Sequence, residues 1–445
     1  MSDQRNLIIA IGLSLAILLG FQFFFEAPRQ EHMQKLADEQ AAEQARQTGQ
    51  GPDGSLIPTA PAQSGTPGAP GTAQTGSIPG APAIQAAPGA SRDAALRQSP
   101  RVPVNGPRLG GSIALKGGRI DDLTMLDYKA TIDEGSPAVT LFSPQGAPQP
   151  YFGQFGWVPI GELKVPDSDT VWQADHPSVQ PARPLTLSWD NGQGVRFIQV
   201  VEIDDNFMMT VTQRVENNST QAISTHPYGR IARTHTPNTL GFYILHEGPL
   251  AVFNETLKEV DYDDLQEGPA DATKSTGGWI GITDKYWLAA LIPDQKQPYT
   301  GTFRYSKPNK QDTYQADFMT QAPQLIAPGA TAQTVSHVFV GAKEVTLLDR
   351  YEEQLGIARF DLAVDFGWFY FLTKPLFFVL DYFFKMLGNF GLAILLLTVC
   401  VKAVFFPLAN KSYKSMSKMK ALQPEMTKLR ERHGDDRTKM NQEMM

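Results

Sequence analysis

The sequence predicts a membrane protein of the α+β class. An N-terminal transmembrane anchor and a flexible tether precede an antiparallel β-sandwich, and an interfacial amphipathic helix, a second transmembrane helix and a basic helical arm follow it. Three observations predict this order. Long apolar runs lie near both ends of the chain, short alternating runs separated by turn residues fill the middle, and a stretch rich in Gly, Pro and Ala joins the first run to the middle.

The first apolar run, Leu7–Phe25, follows a short polar segment at residues 1–6 and contains no charged residue. At about 1.5 Å per residue it reaches about 28 Å, close to the hydrocarbon thickness of a bilayer. A cleaved signal peptide is the alternative, but its apolar region is usually about 7–15 residues long and ends at small residues. This run ends in three phenylalanines, so we expect an uncleaved anchor. Residues 26–107 form the predicted tether, because their composition buries too little apolar surface to offset the entropy of ordering.

Residues 108–345 have the pattern of a β-domain. The runs VRFIQVVEI (Val195–Ile203), FMMTVTQRVEN (Phe207–Asn217) and TVSHVFVGA (Thr334–Ala342) read as strands, and turn residues such as Asp190–Gly192 and Asp204–Asn206 separate runs of this kind. This spacing is typical of an antiparallel sandwich. Strands and helices do not alternate here, which argues against a parallel doubly wound sheet.

Composition and motifs exclude several function classes. The chain has 39 Lys and Arg against 46 Asp and Glu, so a generally basic nucleic-acid binder is not expected. A single cysteine, Cys400, excludes an internal disulfide framework and a multi-cysteine metal site. No phosphate-binding loop, nucleophile elbow or dinucleotide motif is present, and we predict no catalytic residue, metal or cofactor. His235 with Arg233, or His246 with Glu247, could line a sugar pocket; the alternative is that these histidines are surface or satisfied core residues.

A linker and an interfacial amphipathic helix are predicted at residues 346–388. The aromatic-rich sequence of the helix contains Lys374, Asp381 and Lys385, whose spacing places them on one helix face, and Pro375 and Lys374 interrupt any full span. This pattern indicates a helix that lies in the membrane interface with its charged face outward. A buried helix of a soluble domain is the alternative.

A transmembrane helix is predicted at residues 389–408. Its run Phe390–Phe406 is apolar except for Thr398 and Lys402, and it reaches about 25 Å. A lysine inside a span costs about 2.5–3.5 kcal/mol on insertion scales and indicates function by default. The alternative is that its long stem reaches the headgroups. Thr398 precedes Lys402 by one helical turn, so the two form a polar stripe that has to face protein or water.

The remaining residues, 409–445, are predicted to form a basic helical arm. Lys and Arg outnumber Asp and Glu here, and the positive-inside rule then places this end in the cytoplasm, the sandwich outside and the N-terminus in the cytoplasm. A restart of the helix is expected at Pro424. The arm carries one apolar stripe, which suits varied apolar partners. Packing of this stripe against a partner helix is the more ordinary interpretation. The stripe consists of Met416, Met419, Leu422, Met426 and Leu429.

Four strings carry a resemblance to a known family. They are GGWIGITDKYWLAALIPDQ (277–295), DFGWFYFLTKPLF (365–377), GNFGLAILLLTVCVKAVFFPL (388–408) and SYKSMSKMKALQPEMTKLRERHGDD (412–436). With the order of the segments, they resemble the YidC/Oxa family of membrane insertases. The resemblance implies a periplasmic β-supersandwich similar to sugar mutarotases, an interfacial helix and the first helix of a five-helix core. It also implies that Lys402 is the cation of a water-filled groove and Thr398 part of its wall.

The implied function is that of an insertase and folding chaperone of the bacterial inner membrane. Its expected partners are nascent integral membrane proteins, the lipid bilayer, the Sec translocon and the ribosome, the last through the basic arm. Many family members carry arginine where this chain has Lys402, which keeps the charge but lacks the planar fork of arginine. Because the family continues through four more core helices, the chain is expected to be a fragment. The rivals are a membrane-tethered sandwich that binds or modifies sugars in the periplasm, and a passive scaffold.

Overall fold

The computed structural model describes residues 91–239, 245–268, 271–367 and 369–432, with only the backbone for 425–432. The predicted anchor at Leu7–Phe25 and the tether up to residue 90 lie outside the described residues. Within them, the chain forms a large β-domain followed by two long helices.

Nineteen strands are present in the described residues. The first ten are β1 (Arg101–Asn105), β2 (Leu109–Ala114), β3 (Arg119–Lys129), β4 (Ala138–Phe142), β5 (Tyr151–Ile160), β6 (Gln173–Ala174), β7 (Leu185–Asp190), β8 (Val195–Ile203), β9 (Met208–Asn217) and β10 (Ile223–Thr234). The other nine are β11 (Gly248–Phe253), β12 (Thr256–Glu259), β13 (Asp271–Thr276), β14 (Gly278–Thr283), β15 (Trp287–Ile292), β16 (Pro298–Ser306), β17 (Thr313–Thr320), β18 (Gln324–Ile326) and β19 (Thr331–Ala342).

Five α-helices accompany the strands in the described residues. They are α1 (Arg92–Leu96), α2 (Tyr262–Glu267), α3 (Val345–Leu355), α4 (Tyr370–Leu387) and α5 (Phe390–Arg432). Two short 3-10 helices also occur, at Pro308–Lys310 and at Phe360–Ala363.

The strands form two antiparallel sheets. One has the order β1-β2-β3-β5-β10-β17-β16-β13, with β4 paired to β3 and β18 to β10. The other has the order β12-β11-β14-β15-β19-β9-β8-β7-β6. The prediction of an antiparallel sandwich is confirmed, and the three runs chosen from the sequence correspond to β8, β9 and β19.

Alternation in β9 explains how a strand of mixed polarity enters the core. From Met209 to Asn217 its odd-numbered residues are buried and its even-numbered residues are half-buried. Because side chains alternate between the faces of a strand, Met209, Val211 and Val215 pack on one face with Gln213 between them. The alternation seen in the sequence therefore marks the true core face.

Two buried glutamines join the sheets through hydrogen bonds. The Nε2 of Gln213 in β9 donates to the carbonyl of Gly156 in β5 at 2.7 Å, and the Nε2 of Gln199 in β8 donates to the carbonyl of Phe155 at 2.9 Å. A buried amide without such a partner would cost about 1–3 kcal/mol. These bonds fix the position of β5 over β8 and β9 more specifically than apolar contacts alone would.

The β-domain begins earlier than the predicted boundary at residue 108. The side chain of Ser91 caps α1 by accepting a hydrogen bond from the N–H of Ala94, and β1 begins at Arg101. Val102 and Val104 of β1 are buried. The strand is hard to predict from the sequence because it is short and contains Pro103. Proline is tolerated here because β1 is the edge strand of its sheet.

The domain also ends later than predicted, because residues 346–363 are not a linker. Leu348 of α3 and Phe360 of the second 3-10 helix are fully buried. The Phe360 ring lies 5.6 Å from those of Trp279 and Phe339, measured between centroids. Gly356 ends α3 with a φ of 64°, a conformation that glycine adopts without steric cost. The helix and the following turn therefore close one end of the core.

We expect Phe339→Ala to destabilise this end of the domain by about 3–5 kcal/mol, because its ring is fully buried among the rings of Phe207, Tyr351 and Phe360. Urea unfolding of the detergent-solubilised protein, followed by tryptophan fluorescence, measures the change. Val335→Ala on the same strand is the control, because Val335 is 37% exposed, and it should cost far less. Equal losses in the two variants would contradict the proposed packing.

Candidate functional site

Helix α4 exposes an unusual amount of apolar surface. In the part of the chain that the structure describes, α4 buries none of its 18 residues. The helix and the residue before it expose several large side chains: Phe369, Tyr370, Phe371, Leu372, Phe378, Val379, Tyr382, Phe384, Met386 and Leu387. A contiguous patch of this kind marks an interaction or membrane surface.

Lys374 lies on the side of α4 that faces the β-domain. Its Nζ is 3.1 Å from Oδ1 of Asp349 in α3 and 3.1 Å from Oδ2 of Asp361 in the second 3-10 helix. The Lys374 side chain is only 17% exposed. The prediction that this charge points outward was therefore wrong: it is held against the domain by two carboxylates that are distant in the sequence.

The pKa of Asp361 reflects this arrangement. Burial alone would raise it, but the hydrogen bond and charge of Lys374, with the charge of Arg359, outweigh burial and lower it below the usual value of 3.8. A depressed carboxyl pKa contributes stability at pH values above the unfolded pKa, and this stability is lost as the pH falls through the folded pKa. The ion pair therefore persists at neutral pH and breaks only in strong acid.

Asp381 and Lys385 meet as their spacing predicts. The Nζ of Lys385 lies 2.6 Å from Oδ2 of Asp381, one turn earlier in α4. Lys385 is 66% exposed, and an exposed pair of this kind contributes only about 0.3–0.5 kcal/mol. Unlike Lys374, Lys385 therefore points outward, as predicted.

Pro375 does not end the helix. It lies inside α4, which continues to Leu387. Proline removes one backbone donor from a helix. Close by, the hydroxyl of Thr373 donates to the carbonyls of Phe366 at 2.8 Å and Phe369 at 3.1 Å, so it links the helix to the residues before it.

A tight turn connects α4 to α5. Gly388 has a φ of 66°, and its N–H donates to the carbonyl of Phe384. The Asn389 side chain then accepts a hydrogen bond from the N–H of Leu392 at 3.1 Å, which caps the start of α5. The rings of Phe384 and Phe390 lie 5.6 Å apart across the turn. The two helices therefore form a packed hairpin.

Helix α5 is much longer than a membrane span. It has 43 residues and runs without a break through Pro407 and Pro424, so the predicted restart at Pro424 is not observed. Among the described residues, Phe390–Pro424 is the helix that is long and apolar enough to cross a bilayer. At about 1.5 Å per residue, α5 measures about 65 Å, roughly twice the hydrocarbon thickness.

Thr398 and Lys402 lie on one face of α5, and both are exposed on the described protein surface. The Thr398 hydroxyl donates a hydrogen bond to the carbonyl of Ile394 at 2.8 Å, so this hydroxyl has a partner within its own helix. Their neighbours Leu395, Val399 and Val404 are also more than half exposed. The polar stripe predicted from the sequence therefore exists, flanked by apolar residues.

The basic arm continues α5 beyond its apolar part. Met416, Met419 and Leu422 are each at least half exposed, in a segment (residues 402–424) whose residues are all exposed. The side chains of Met426 and Leu429 lie outside those that the structure describes.

The histidines proposed for a sugar pocket have different surroundings. Arg233 and His235 both line a cavity of about 360 Å³, together with Tyr151, Asp284 and Trp287. Nη1 of Arg233 lies 2.6 Å from Asp284 Oδ1, and Nε2 of His235 lies 2.7 Å from the carbonyl oxygen of Pro148. Both side chains therefore have partners within the protein.

His246 and Glu247, the second pair proposed for a sugar pocket, do not line this cavity. Nε2 of His246 lies 3.0 Å from the carbonyl oxygen of Pro249, and its Nδ1 lies 3.4 Å from Asp261 Oδ1. Oε1 of Glu247 accepts a hydrogen bond from the N–H of Lys285. These contacts support the interpretation of His246 as a satisfied structural residue.

Lys343, at the junction between β19 and α3, is a further perturbed group. Its Nζ donates to Thr283 Oγ1 at 3.0 Å. Burial lowers its pKa to about 8, although Asp284, Glu247 and Asp365 oppose the shift.

Sequence reasoning missed Asp349 and Asp361. A signal for Asp361 exists, because this acid stands between Phe360 and Leu362, both of which favour burial. A charged residue in such a place requires a partner. The sequence does not show which of the surrounding cations supplies it.

Comparisons with known proteins identify the family. A family model described as the YidC periplasmic domain matches residues 101–379, and one described as the 60Kd inner membrane protein matches residues 382–445. A membrane protein insertase YidC from Methylobacterium radiotolerans is 44% identical over 456 residues, which cover 100% of this chain and 72% of the relative. The chain belongs to the YidC family.

Other relatives give the same result. YidC insertases from Methylorubrum extorquens and Granulibacter bethesdensis are 45% and 41% identical, with all of this chain and 72% and 73% of theirs covered. As a YidC family member, the chain is a membrane protein insertase of the inner membrane, and its β-domain corresponds to the family's periplasmic domain. The family does not favour the alternative of a sugar-binding or sugar-modifying protein.

Solved structures with similarity to the chain include a galactose mutarotase related enzyme from Lactobacillus acidophilus. It has a TM-score of 0.39 and 8% identity, over 54% of this chain and 97% of that one. A putative aldose 1-epimerase from Escherichia coli has a TM-score of 0.36 and 13% identity, over 54% and 98%.

The low pKa of Lys343 predicts a rise in stability with pH. Between its folded pKa of about 8 and the ordinary value of 10.5, the unfolded chain binds more protons than the folded one. The free energy of unfolding should therefore increase by up to about 1.4 kcal/mol per pH unit. Urea unfolding at pH 7.5 to 10, compared with Lys343→Met, isolates this contribution. Parallel pH profiles for the two proteins would contradict it.

Proposed function

We propose that this insertase transfers client segments along a hydrated groove for which α5 supplies one wall, with Lys402 as the groove cation and Thr398 beside it. The observation that carries the proposal is the polar stripe. Thr398 and Lys402, one turn apart, share a face of the segment Phe390–Phe406, which is otherwise apolar and belongs to a helix long enough to cross a bilayer. The charge of Lys402 is costly against lipid tails and requires water or protein.

The chemistry of insertion supports this role. A polar client tail must lose its hydration to cross hydrocarbon, and a water-filled groove shortens the distance over which it does so. An ammonium group in the groove attracts acidic tail residues, because electrostatic attraction is stronger away from bulk water. The client's apolar helix can then leave along the apolar side chains of α5. No covalent bond is made or broken.

The proposed topology is multi-pass, with the β-domain in the periplasm and both ends of the chain in the cytoplasm. The positive-inside rule supports this orientation, because lysines follow directly after the apolar part of α5. They are Lys411, Lys414, Lys418 and Lys420. A span at Leu7–Phe25 then returns the N-terminus to the cytoplasm.

The basic arm is the proposed docking site for ribosomes or client helices. Its exposed Met416, Met419 and Leu422 combine with the neighbouring lysines. Methionine side chains adapt to varied apolar partners, and lysines suit the phosphates of ribosomal RNA without sequence preference. Cooperation with the Sec translocon belongs to the same proposal.

We expect Lys402→Ala to lower insertion of clients with acidic translocated tails several-fold, because the groove loses its attractive charge. Insertion is scored in cells depleted of their own insertase, with several clients that differ in tail charge. Lys402→Arg, which preserves the charge, should retain most activity. Lys385→Ala, which removes an exposed charge of α4, is the matched control. Undiminished insertion of every acidic client by Lys402→Ala would refute the groove role.

Thiol accessibility provides a test that does not depend on clients. Cys400 lies roughly 160° around the helix from both Thr398 and Lys402, so it should face away from the groove. In a Cys400→Ala background, Thr398→Cys and Lys402→Cys should react quickly with a membrane-impermeant maleimide, whereas native Cys400 should react slowly. If Cys400 reacts as fast as the two engineered cysteines, the stripe does not line a hydrated groove.

A further inference from the structure

We propose that Lys374 is a positioning residue for insertion: by joining α4 to Asp349 and Asp361, it fixes the interfacial helix against the periplasmic domain. The packed turn at Gly388 and Asn389 then transmits this orientation to the groove helix α5. The inference rests on the proposed role of α5.

The contacts of Lys374 join three elements that are separate in the sequence. Asp349 belongs to α3, Asp361 to the second 3-10 helix and Lys374 to α4, and Nζ of Lys374 is 3.1 Å from each carboxylate. Asp361 is 8% exposed. Its N–H donates to Oε2 of Glu352 in α3 at 2.9 Å, so the acceptor itself is held rigidly.

Few other side-chain hydrogen bonds join α4 to the β-domain. Within the described residues, the side-chain hydrogen bonds from α4 to the β-domain come from Lys374 and from Tyr370, whose hydroxyl lies 3.4 Å from Asp361 Oδ2. Helix α4 buries no residue there. Phe366, in the residues before α4, adds ring contacts with Tyr370 and Phe377 and accepts the hydrogen bond of Thr373. The side-chain hydrogen bonds that join α4 directly to α3 and the second 3-10 helix end on Asp349 or Asp361.

The location of these contacts makes them strong. Lys374 and Asp361 are largely removed from water, where an ion pair is screened less than at an exposed site. The pair Asp381–Lys385 in the same helix provides the contrast, because Lys385 is 66% exposed and both partners belong to α4. That pair can stabilise α4 itself, but it cannot fix the orientation of α4 relative to the β-domain.

The geometry also explains why a small change at Lys374 would matter. Met386 lies near the end of α4, roughly 18 Å along the helix from Lys374. A tilt of about 10° at Lys374 would therefore move that end by about 3 Å. Because Phe384 contacts Phe390 across the turn, the start of α5 would move with it, and an error of about 1 Å is enough to impair a preorganised site.

The structural part of the proposal is tested by distance measurement in the intact protein. Spin labels at Gln354→Cys in α3 and Met386→Cys in α4, with Cys400→Ser to remove the native thiol, report the angle between α4 and the domain. In lipid nanodiscs, pulsed electron paramagnetic resonance should give a narrow distance distribution. Lys374→Ala should broaden or shift it, whereas Lys385→Ala should leave it unchanged. Lys374→Arg, which keeps the positive charge, should retain most of the original width.

The functional part is tested in cells depleted of their own insertase. Lys374→Ala should lower insertion several-fold, Lys374→Arg should retain most of it, and Lys385→Ala should match the unmodified protein. Each variant should still show a cooperative unfolding transition of the β-domain, which separates positioning from loss of folding.

Two results would overturn the proposal. One is an unchanged distance distribution in Lys374→Ala, and the other is normal insertion by a variant whose distribution has broadened. The groove hypothesis is tested separately, because Lys402 variants should lower insertion without altering the distance between α3 and α4.

Discussion

Contact with lipid is the physical requirement on which the rest of this structure depends. The β-domain buries its apolar side chains between two sheets, but α4 and the first half of α5 leave theirs uncovered. Side chains such as Leu395, Val404 and Phe406 each forgo about 1.5–3 kcal/mol if they remain in water. These helices are therefore stable only where hydrocarbon replaces the missing protein core. The chain is divided accordingly into a part that folds on its own core and a part that folds against a bilayer.

The boundary between these parts is more rigid than a linker. Helix α3 and the 3-10 helix at Phe360–Ala363 close the core, and their acidic residues hold α4 through Lys374. In the family, the sandwich is the periplasmic domain of an insertase. Joined to α4 in this way, it is proposed to set the orientation of α4 and α5, although none of its described residues belongs to the proposed groove.

Much of the fold could be predicted from the sequence, because local patterns decide it. Strands β8, β9 and β19 alternate in polarity, and turn residues bound several strands, so the antiparallel sandwich follows from period-two spacing. The polar stripe at Thr398 and Lys402 is also visible locally, because two polar residues stand in an apolar run. The resemblance to the family added their roles, which spacing alone does not give.

Three of the failures have a common physical cause, since each depends on a distant partner. Strand β1 was missed because its Pro103 is tolerated only at a sheet edge, and an edge is a property of the whole sheet. Helix α3 was assigned to a linker because its partners in the core come from distant strands. Lys374 was predicted to point outward because the two carboxylates that bind it are 13 and 25 residues away in the sequence. Pro424 predicted a restart, yet the helix continues through it.

The unbroken length of α5 has a mechanical consequence. One helix begins at the capped turn, carries the polar stripe and extends far enough to leave the membrane with the basic arm. The arm and the membrane-spanning part are therefore parts of one rigid helix. Because one continuous helix joins them, a sideways load on the arm would tilt the polar stripe as well.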